Sequence, residues 1–169
     1  MKSEKEIELL KKAGCSDKVI EHVIAVAKAA MSIVDEIKLP VDKELIRLGS
    51  LLHDIGRAKS HGIEHAVIGA EIAVELGMDE RIIRIIERHI GAGIPANEAR
   101  VLGLPDKDYL PITPEEKIVA YADNLLSGSR VTSFEESLQR FKNLLGIDHP
   151  AIDRFLKLHN EIEGWKREG

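Results

Sequence analysis

The sequence has few of the residues on which several protein classes depend. Its 169 residues include one cysteine, Cys15, which excludes an internal disulfide and a zinc site built from several thiolates. No stretch approaches the roughly 18 to 20 apolar residues of a membrane span. The first residues, MKSEKEIELLKKAG, are charged and lack the apolar stretch of a signal peptide. We therefore expect a cytoplasmic protein that makes no use of a membrane.

The chain also lacks an excess of positive charge. Its 24 Lys and Arg against 29 Asp and Glu give a net charge of −5, so we expect no extended nucleic acid as a partner. A phosphorylated small molecule is compatible with an acidic chain if a metal or a few cations bind its phosphate locally. The length predicts a single domain, residues 1–169, and leaves the oligomeric state open, a homo-oligomer included.

Apolar residues recur with the period of a helix through most of the chain. No segment has a convincing strand pattern, so we expect an all-α bundle of about seven to eight unequal helices. Ser3 and Glu6 are spaced as a capping box at the start of the first helix. Residues 91–112 have several glycines and prolines and no clear period, which predicts a long loop. The predicted helices span about 4–13, 17–38, 43–54, 64–76, 80–90, 114–126, 133–146 and 149–165.

Six ionisable residues interrupt the apolar faces of these helices, where burial is costly unless each is paired. A lone inward histidine is usually a satisfied core residue, and a His-Asp pair also arises by chance. No single one of them therefore identifies a site. The six residues are His22, His53, Asp54, His65, His89 and Asp123.

Taken as a set, these residues predict a metal site. Buried aspartates are normally paired or bound to metal, and imidazole and carboxylate are ligands of divalent first-row metals. Six donors suffice for two ions that share a bridging carboxylate. We expect one or two divalent transition metals, Mn, Fe, Co or Ni. Mg is less suited to histidine ligands, and Zn is a further candidate, although structural zinc sites favour thiolates.

The spacing of the six residues resembles that of the HD-domain metal-dependent phosphohydrolase superfamily. HDIG at 53–56, HAVIGAEIA at 65–73 and IVAYADNL at 118–125 are similar to the HDIG-type subgroup, and the chain resembles its small stand-alone archaeal members. The resemblance covers about 16–130 and implies a compact HD-domain bundle, with C-terminal helices 133–165 packing on that core. Arg88-His89 and GAGIP replace the paired histidines and GYP signature of the cyclic-di-GMP phosphodiesterase branch. Neither a third metal nor that substrate is therefore implied.

Carried over by position, the resemblance implies that four of the six residues hold one metal, and that Asp54 bridges to a second metal, held also by His65 and His89. The four are His22, His53, Asp54 and Asp123.

Three further residues are candidates for contact with the substrate. Arg57, which follows HDIG where lysine is commoner, could bind a phosphate oxygen, and Arg130 is a second candidate for substrate binding. His61 lies in the loop between ligands and could donate a proton to the leaving group. We predict Asp54, Arg57 and His61 as catalytic residues. The alternative is a surface arginine and a solvated loop histidine.

These observations predict a metal-dependent phosphohydrolase. It would use a metal-activated water to cleave a nucleotide-type phosphomonoester or phosphodiester, cyclic forms included. One alternative is a regulatory module that binds a nucleotide without turnover, and another is a scaffold with a structural histidine core. Retention of all candidate ligands favours the enzyme, because a sensor could lose them without penalty.

Overall fold

Nine α-helices and one short hairpin make up residues 3–167, the part of the chain that the computed structural model describes. The predicted all-α fold class is confirmed. A 3₁₀ turn, Ile55–Ala58, lies between α3 and α4. The elements are α1 Glu4–Ala13, α2 Asp17–Glu36, α3 Lys43–Leu52, α4 His65–Glu75, α5 Glu80–Glu87, α6 Ala96–Val101, α7 Pro114–Asn124, β1 Leu126–Ser127, β2 Arg130–Val131, α8 Phe134–Leu145 and α9 Pro150–Arg167.

Between residues 3 and 167, none of the helices combines the length and the apolar character that crossing a bilayer requires.

α2 is the central helix of the core. It packs along α3 on one side and α7 on the other, and α5 packs against both α3 and α7. The buried stripe of α2 recurs every three or four residues, as its sequence predicts, and consists of small or β-branched side chains that let the neighbours approach closely. Its members are Val19, Val23, Val26, Ala27, Ala30, Ile33 and Val34. α2, α7 and the end of α3 bear candidate ligands, so this packing decides how those side chains meet.

Helix starts follow the sequence in most places. The side chains of Ser16, Asp42 and Thr113 each accept a hydrogen bond from a backbone N–H in the first turn of α2, α3 and α7. The capping box predicted at Ser3 is wrong, because the Ser3 side chain makes no capping bond. The carboxylate of Glu6 lies instead 2.9 Å from Arg47 of α3, a charged partner that competes with the local backbone.

Two predicted boundaries are also wrong. The third helix was expected to continue to Asp54, but α3 ends at Leu52 and the chain tightens into the 3₁₀ turn. Residues 91–112 were expected to be a loop throughout. They contain α6, and a single antiparallel bridge joins Ile94 to Tyr109, which closes the segment on itself.

The hairpin after α7 was not expected from the sequence. Leu126 pairs with Val131 and Ser127 with Arg130, so the expectation of no strand is wrong at this point. The two residues between the strands are Gly128 and Ser129, and Gly128 has a φ of 63°. Glycine at the first position of a two-residue loop is typical of a type II′ hairpin turn.

α8 and α9 pack beside α7. Phe141 of α8 and Tyr121 of α7 both contact Phe155 of α9, with ring centroids 4.5 and 5.9 Å away. The backbone N–H of Lys38, just past α2, donates to the carbonyl of Trp165. The C-terminal helices therefore lie against the end of the helix that bears Asp123.

Two glycines let the 3₁₀ turn cross α4 at close range. A Cβ atom on Gly56 would lie 1.8 Å from the carbonyl oxygen of His65 and 2.7 Å from the nitrogen of Gly69. A Cβ atom on Gly69 would lie 3.1 Å from the nitrogen of Gly56. The two atoms that a Cβ on Gly56 would meet are backbone atoms of α4, and they cannot move unless the helix shifts. The crossing fixes the distance between the His53-Asp54 pair and His65.

We predict that Gly56→Ala lowers the free energy of unfolding by at least about 2 kcal/mol, because the added methyl group overlaps backbone atoms. The matched control is Gly164→Ala in α9, where an added Cβ meets nothing within 4 Å. It should stabilise the protein by about 0.5–1 kcal/mol, since alanine is the better helix former. Urea unfolding followed by circular dichroism measures both changes. Equal stability of the two variants would contradict the close crossing.

Candidate metal centre

Six side chains from five segments converge at one place in the bundle. Each of the six comes from the set that the sequence predicts. α2 contributes His22, the end of α3 contributes His53 and Asp54, the start of α4 contributes His65, the residues after α5 contribute His89, and α7 contributes Asp123.

Asp54 lies at the centre of this group and presents one carboxylate oxygen to each side. Its Oδ2 atom is 3.5 Å from Nε2 of His22 and 3.6 Å from Nε2 of His53. Its Oδ1 atom is 3.1 Å from Nε2 of His65 and 3.3 Å from Nε2 of His89. A carboxylate with two sets of imidazoles, one at each oxygen, has the arrangement of a bridging ligand.

The second carboxylate makes its shortest contacts on one side only. Oδ1 of Asp123 is 2.9 Å from Nε2 of His22 and 3.2 Å from Nε2 of His53. We refer below to two halves of the centre. The Asp123 half consists of His22, His53, Asp123 and Oδ2 of Asp54, and the His65 half of His65, His89 and Oδ1 of Asp54.

The outer nitrogen of every one of these four rings is bound to a backbone carbonyl. A carbonyl oxygen can only accept, so each Nδ1 bears a proton, and a ring that is neutral directs the lone pair of its Nε2 towards the centre. This is the arrangement by which second-shell groups orient histidine ligands of metals. The Nδ1–oxygen distances are 2.6 Å for His22 to Gly128, 2.6 Å for His53 to Ser50, 2.8 Å for His65 to Gly62 and 2.7 Å for His89 to Ile86.

A positive charge is required between the inner nitrogens. Nε2 of His65 lies 3.0 Å from Nε2 of His89, and both lie close to Oδ1 of Asp54. With both Nδ1 atoms protonated, two neutral rings would direct lone pairs at each other and at a carboxylate. A proton or a metal ion has to lie among them.

The pKa values of the group show the same demand for positive charge. Burial alone raises the pKa of Asp54 and of Asp123, but His53 and the hydrogen-bonded histidines around each carboxyl lower both pKa values well below the ordinary one. Burial lowers the pKa of His53, yet the two carboxylates raise it to about 9. For His89 burial prevails and the pKa is lowered. The two carboxylates therefore stay ionised and attract a cation.

The spacing of the donors suits a metal ion. Two atoms that each lie about 2.1 Å from one ion are roughly 3.0–3.4 Å apart at octahedral or tetrahedral angles. Nitrogen–oxygen distances in the centre run from 2.9 to 3.6 Å. The donors form three triads that share members, and within each triad the ligand atoms lie within 4.8 Å of one another. The triads are His22–His53–Asp54, His53–His89–Asp123 and Asp54–His65–His89.

The centre forms the floor of a cleft of about 780 Å³. Arg57 and His61, both predicted from the sequence, line its wall. Nε of Arg57 lies 3.3 Å from Oδ2 of Asp54, and its Nη1 donates to the carbonyl oxygen of His61 at 3.3 Å. Arg57 therefore holds the loop of His61 beside the shared carboxylate.

Arg130 is not brought to this cleft. It lies on β2, its side chain is 69% exposed, and its nearest charged partner is Glu136 at 3.7 Å. Arg88 also points elsewhere, since its Nη1 lies 2.7 Å from the buried carboxylate of Glu116. The position that holds an extra histidine in the cyclic-di-GMP branch thus serves to join α5 to α7 here.

α8 supplies one wall of the cleft, and sequence reasoning missed it. The sequence predicts the helix, but not which of its faces meets the centre. The available signal in the sequence was Leu144, a large apolar residue in excess of the single apolar stripe that a surface helix buries. In the structure its side chain is 81% exposed. The cleft-lining residues of α8 are Arg140, Phe141, Asn143 and Leu144.

We predict that Asp54→Asn abolishes most metal binding, because both halves lose a negatively charged ligand. Adding Mn²⁺ at about 100 times its Kd should stabilise the unaltered protein by about 2.7 kcal/mol and the variant by far less. Asp153→Asn, which alters an exposed aspartate in α9, is the matched control. Elemental analysis after dialysis and thermal unfolding with and without Mn²⁺ give the two readouts. Full metal content in Asp54→Asn would argue against a shared carboxylate.

Known proteins share this sequence to differing extents. An uncharacterized protein from Methanocaldococcus jannaschii is 53% identical over 165 residues, which is 96% of this chain and 97% of that protein. A tRNA (cytidine(56)-2'-O)-methyltransferase from Picrophilus torridus is 49% identical over 156 residues, and a ribonuclease Y from Pseudothermotoga lettingae is 38% identical over 125. These matches cover 91% and 73% of this chain. The chain spans only 44% of that methyltransferase and 21% of that ribonuclease.

A solved structure shares the fold. The HD domain of the L. monocytogenes phosphodiesterase PgpH, crystallised in complex with cyclic-di-AMP, aligns with a TM-score of 0.57 at 20% identity. The alignment covers 96% of this chain and 98% of that one. The family model for the HD domain matches residues 19–128, a range that includes all six residues of the centre. The chain belongs to the HD-domain family.

Proposed function

We propose that this protein is a metal-dependent phosphohydrolase that acts on a nucleotide-type phosphoester. One observation carries the proposal: Asp54 lies between two sets of inward-facing imidazoles on the floor of an open cleft. That arrangement suits two ions and leaves the side towards the cleft free of protein ligands. The names of two relatives, a ribonuclease and a phosphodiesterase crystallised with cyclic-di-AMP, are in keeping with phosphoester chemistry.

The metal would supply the chemistry that side chains lack: divalent ions at such a centre activate water and polarise phosphoryl oxygens. The protein contributes rigidity. Each imidazole is fixed at its outer nitrogen by a carbonyl, so the inner nitrogens keep their positions while the substrate binds and leaves. The buried carboxylates keep their negative charge at neutral pH because the histidines lower their pKa values.

Arg57 is suited to bind the phosphoryl group. Its Nε is directed at Asp54, and the rest of its guanidinium has donors left for the non-bridging oxygens of the substrate. Fixed donors of this kind stabilise charge that grows in the transition state. His61 is exposed on the same wall, where its ring can give a proton to the leaving oxygen.

The cleft fits a small substrate better than a polymer. Its volume of about 780 Å³ lies within the usual range of small-molecule sites. The net charge of −5 and the few cations at its wall do not offer the basic track that an extended nucleic acid requires. Opposite the metal centre, Phe141, Asn143 and Leu144 present an aromatic ring, an amide and an aliphatic group. A nucleobase is recognised by that combination of surfaces.

Methyl transfer is not assigned to this chain. The match to the methyltransferase covers less than half of that protein, and the cleft residues form a ligand set for metals. The predicted contact of Arg130 with substrate is not included either, because Arg130 lies outside the cleft.

We predict hydrolysis of p-nitrophenyl phosphate or of bis-p-nitrophenyl phosphate in the presence of Mn²⁺, Co²⁺, Ni²⁺ or Fe²⁺, and none after metal removal. Arg57→Gln should lower kcat about 10²- to 10³-fold, as expected for loss of one transition-state donor. Lys59→Gln removes an exposed charge two residues away and should leave kcat within about twofold, a change typical of a surface site. Nucleotide binding without turnover under every metal would favour the regulatory module instead.

We predict that Leu144→Ser weakens selection for nucleosides about tenfold, because roughly 1.4 kcal/mol of apolar contact with the base is lost. The measurement compares kcat/KM for the p-nitrophenyl ester of thymidine 5′-monophosphate and for methyl p-nitrophenyl phosphate. A monoesterase is assayed instead with AMP and methyl phosphate. Leu102→Ser, at a leucine that is 48% exposed outside the cleft, is the control. An unchanged ratio of the two kcat/KM values would indicate that the base does not bind against Leu144.

A further inference from the structure

We infer that Arg140 positions His22 through the hairpin and thereby controls metal affinity in the Asp123 half of the centre. This inference rests on the metal centre of the proposed function, but it concerns a residue that touches neither the ligands nor the reacting atoms. It also assigns a role to α8, which lies beyond the part of the chain that the HD-domain family model matches.

His22 is held differently from the other three histidines. His53, His65 and His89 each donate to the carbonyl three residues earlier in the chain, so a local turn is enough to orient them. The partner of His22 is the carbonyl of Gly128, 106 residues away. The orientation of His22 therefore depends on where the hairpin lies. Its side chain is also 19% exposed, whereas those of the other three are at most 5% exposed.

The hairpin cannot hold that carbonyl in place by itself. Each of its strands has two residues, and an isolated hairpin is marginally stable at best. Its turn meets water at Gly128, where an added Cβ would touch nothing within 4 Å. Both strands also contact α2, the helix that bears His22, so the position of the hairpin depends on that packing and on how its base is held.

Arg140 provides that anchor. Its Nη2 donates to the carbonyls of Asn124 at 3.0 Å and Leu126 at 3.3 Å, and lies 3.3 Å from Oγ of Ser137. Thr132 binds the carbonyl between these two, that of Leu125, through both its backbone N–H and its hydroxyl at 2.7 Å. Three successive carbonyls, from the last residue of α7 onward, are thus bound by Arg140 of α8 and by Thr132, two residues before that helix.

The same anchor lies next to two ligands of one half. Asn124 directly follows Asp123, and Leu126 begins the strand that leads to Gly128. Loss of Arg140 would free both the chain after Asp123 and the carbonyl that orients His22. The His65 half depends less on this anchor, because its histidines are oriented by carbonyls in their own turns and its carboxylate belongs to the turn after α3. Its one contact with the anchored segment is the bond from the side chain of Asn124 to the carbonyl of Gly91, two residues past His89.

Arg140 also lines the cleft, so an alternative is that it binds the phosphate of the substrate. The bonds to two carbonyls occupy Nη2, the nitrogen that makes its shortest contacts. An experiment without substrate separates the two roles. A residue that binds only phosphate does not change the affinity for metal.

The test is calorimetric titration of the metal-free protein with Mn²⁺, in parallel for Arg140→Gln and for Arg81→Gln. Arg81 is an exposed arginine that also hydrogen-bonds to carboxylates, far from the cleft, and its loss changes the charge equally. We expect two Mn²⁺ equivalents in the unaltered protein. In Arg140→Gln one should weaken about 10- to 100-fold, the usual effect of losing second-shell support, and the other should stay within about twofold. Arg81→Gln should alter neither.

A second variant distinguishes a local effect on the Asp123 half from general unfolding. Gly128→Ala keeps Arg140 but places a side chain at a φ of 63°, which strains the turn, and should weaken the same equivalent selectively. Equal weakening of both equivalents in Arg140→Gln, or no weakening, would overturn the inference.

Imidazole nitrogen resonances give a readout that needs no metal. In Arg140→Gln the Nδ1 and Nε2 resonances of His22 should shift, while those of His53, His65 and His89 stay in place. An unshifted His22 would overturn the inference. Failure of the unaltered protein to bind Mn²⁺, Co²⁺ or Ni²⁺ would instead refute the proposed function, and the His22 resonances would still decide the role of Arg140.

Discussion

The structure depends on one electrostatic constraint, the need for positive charge among inward-facing lone pairs. Four backbone carbonyls fix the protons of four imidazoles on their outer nitrogens, and two carboxylates lie between the inner ones. Apart from Nε of Arg57, which lies 3.3 Å from Oδ2 of Asp54, the recorded contacts of the described residues give these acceptors only the protons that the rings themselves take up. Two divalent ions that share Asp54 would satisfy all of them together, so the arrangement suits metal binding and is costly without a compensating positive charge.

The six candidate ligands could be selected from the sequence because helical periodicity shows which side chains face inward, and the structure brings all six together. His22 and Asp123 lie on apolar stripes, and their meeting follows from the packing of α2 against α7. Arg130 and Arg140 show what helical periodicity does not predict, namely which of two arginines reaches the cleft. Both follow Asp123 at short range, yet only Arg140 reaches the cleft, because the unpredicted hairpin directs Arg130 to solvent and α8 turns back over the site. Tertiary packing, not local pattern, decides between them.

The centre combines two kinds of support. Three histidines are oriented by carbonyls in their own turns, so any chain that folds these turns and keeps the close crossing at Gly56 and Gly69 recovers most of the centre. The fourth is oriented from a hairpin bound to α8, which also forms the wall opposite the metal centre. If the proposed function and the inferred role of Arg140 hold, changes in α8 would alter substrate choice and the metal affinity of the Asp123 half more than that of the His65 half.

The charge of the cleft bears on how an acidic chain would bind the acidic substrate of the proposed function. Without metal, the floor presents Asp54 and Asp123, both kept ionised by lowered pKa values, against a protonated His53. Arg57 is partly neutralised by its contact with Asp54. Such a floor gives a phosphate little attraction. In the proposed function, divalent ions would reverse the sign of this floor, and a phosphoester would meet positive charge at the point where its phosphorus must lie. Metal would then have to bind before the substrate, and the ions proposed to activate water would also favour a phosphoester.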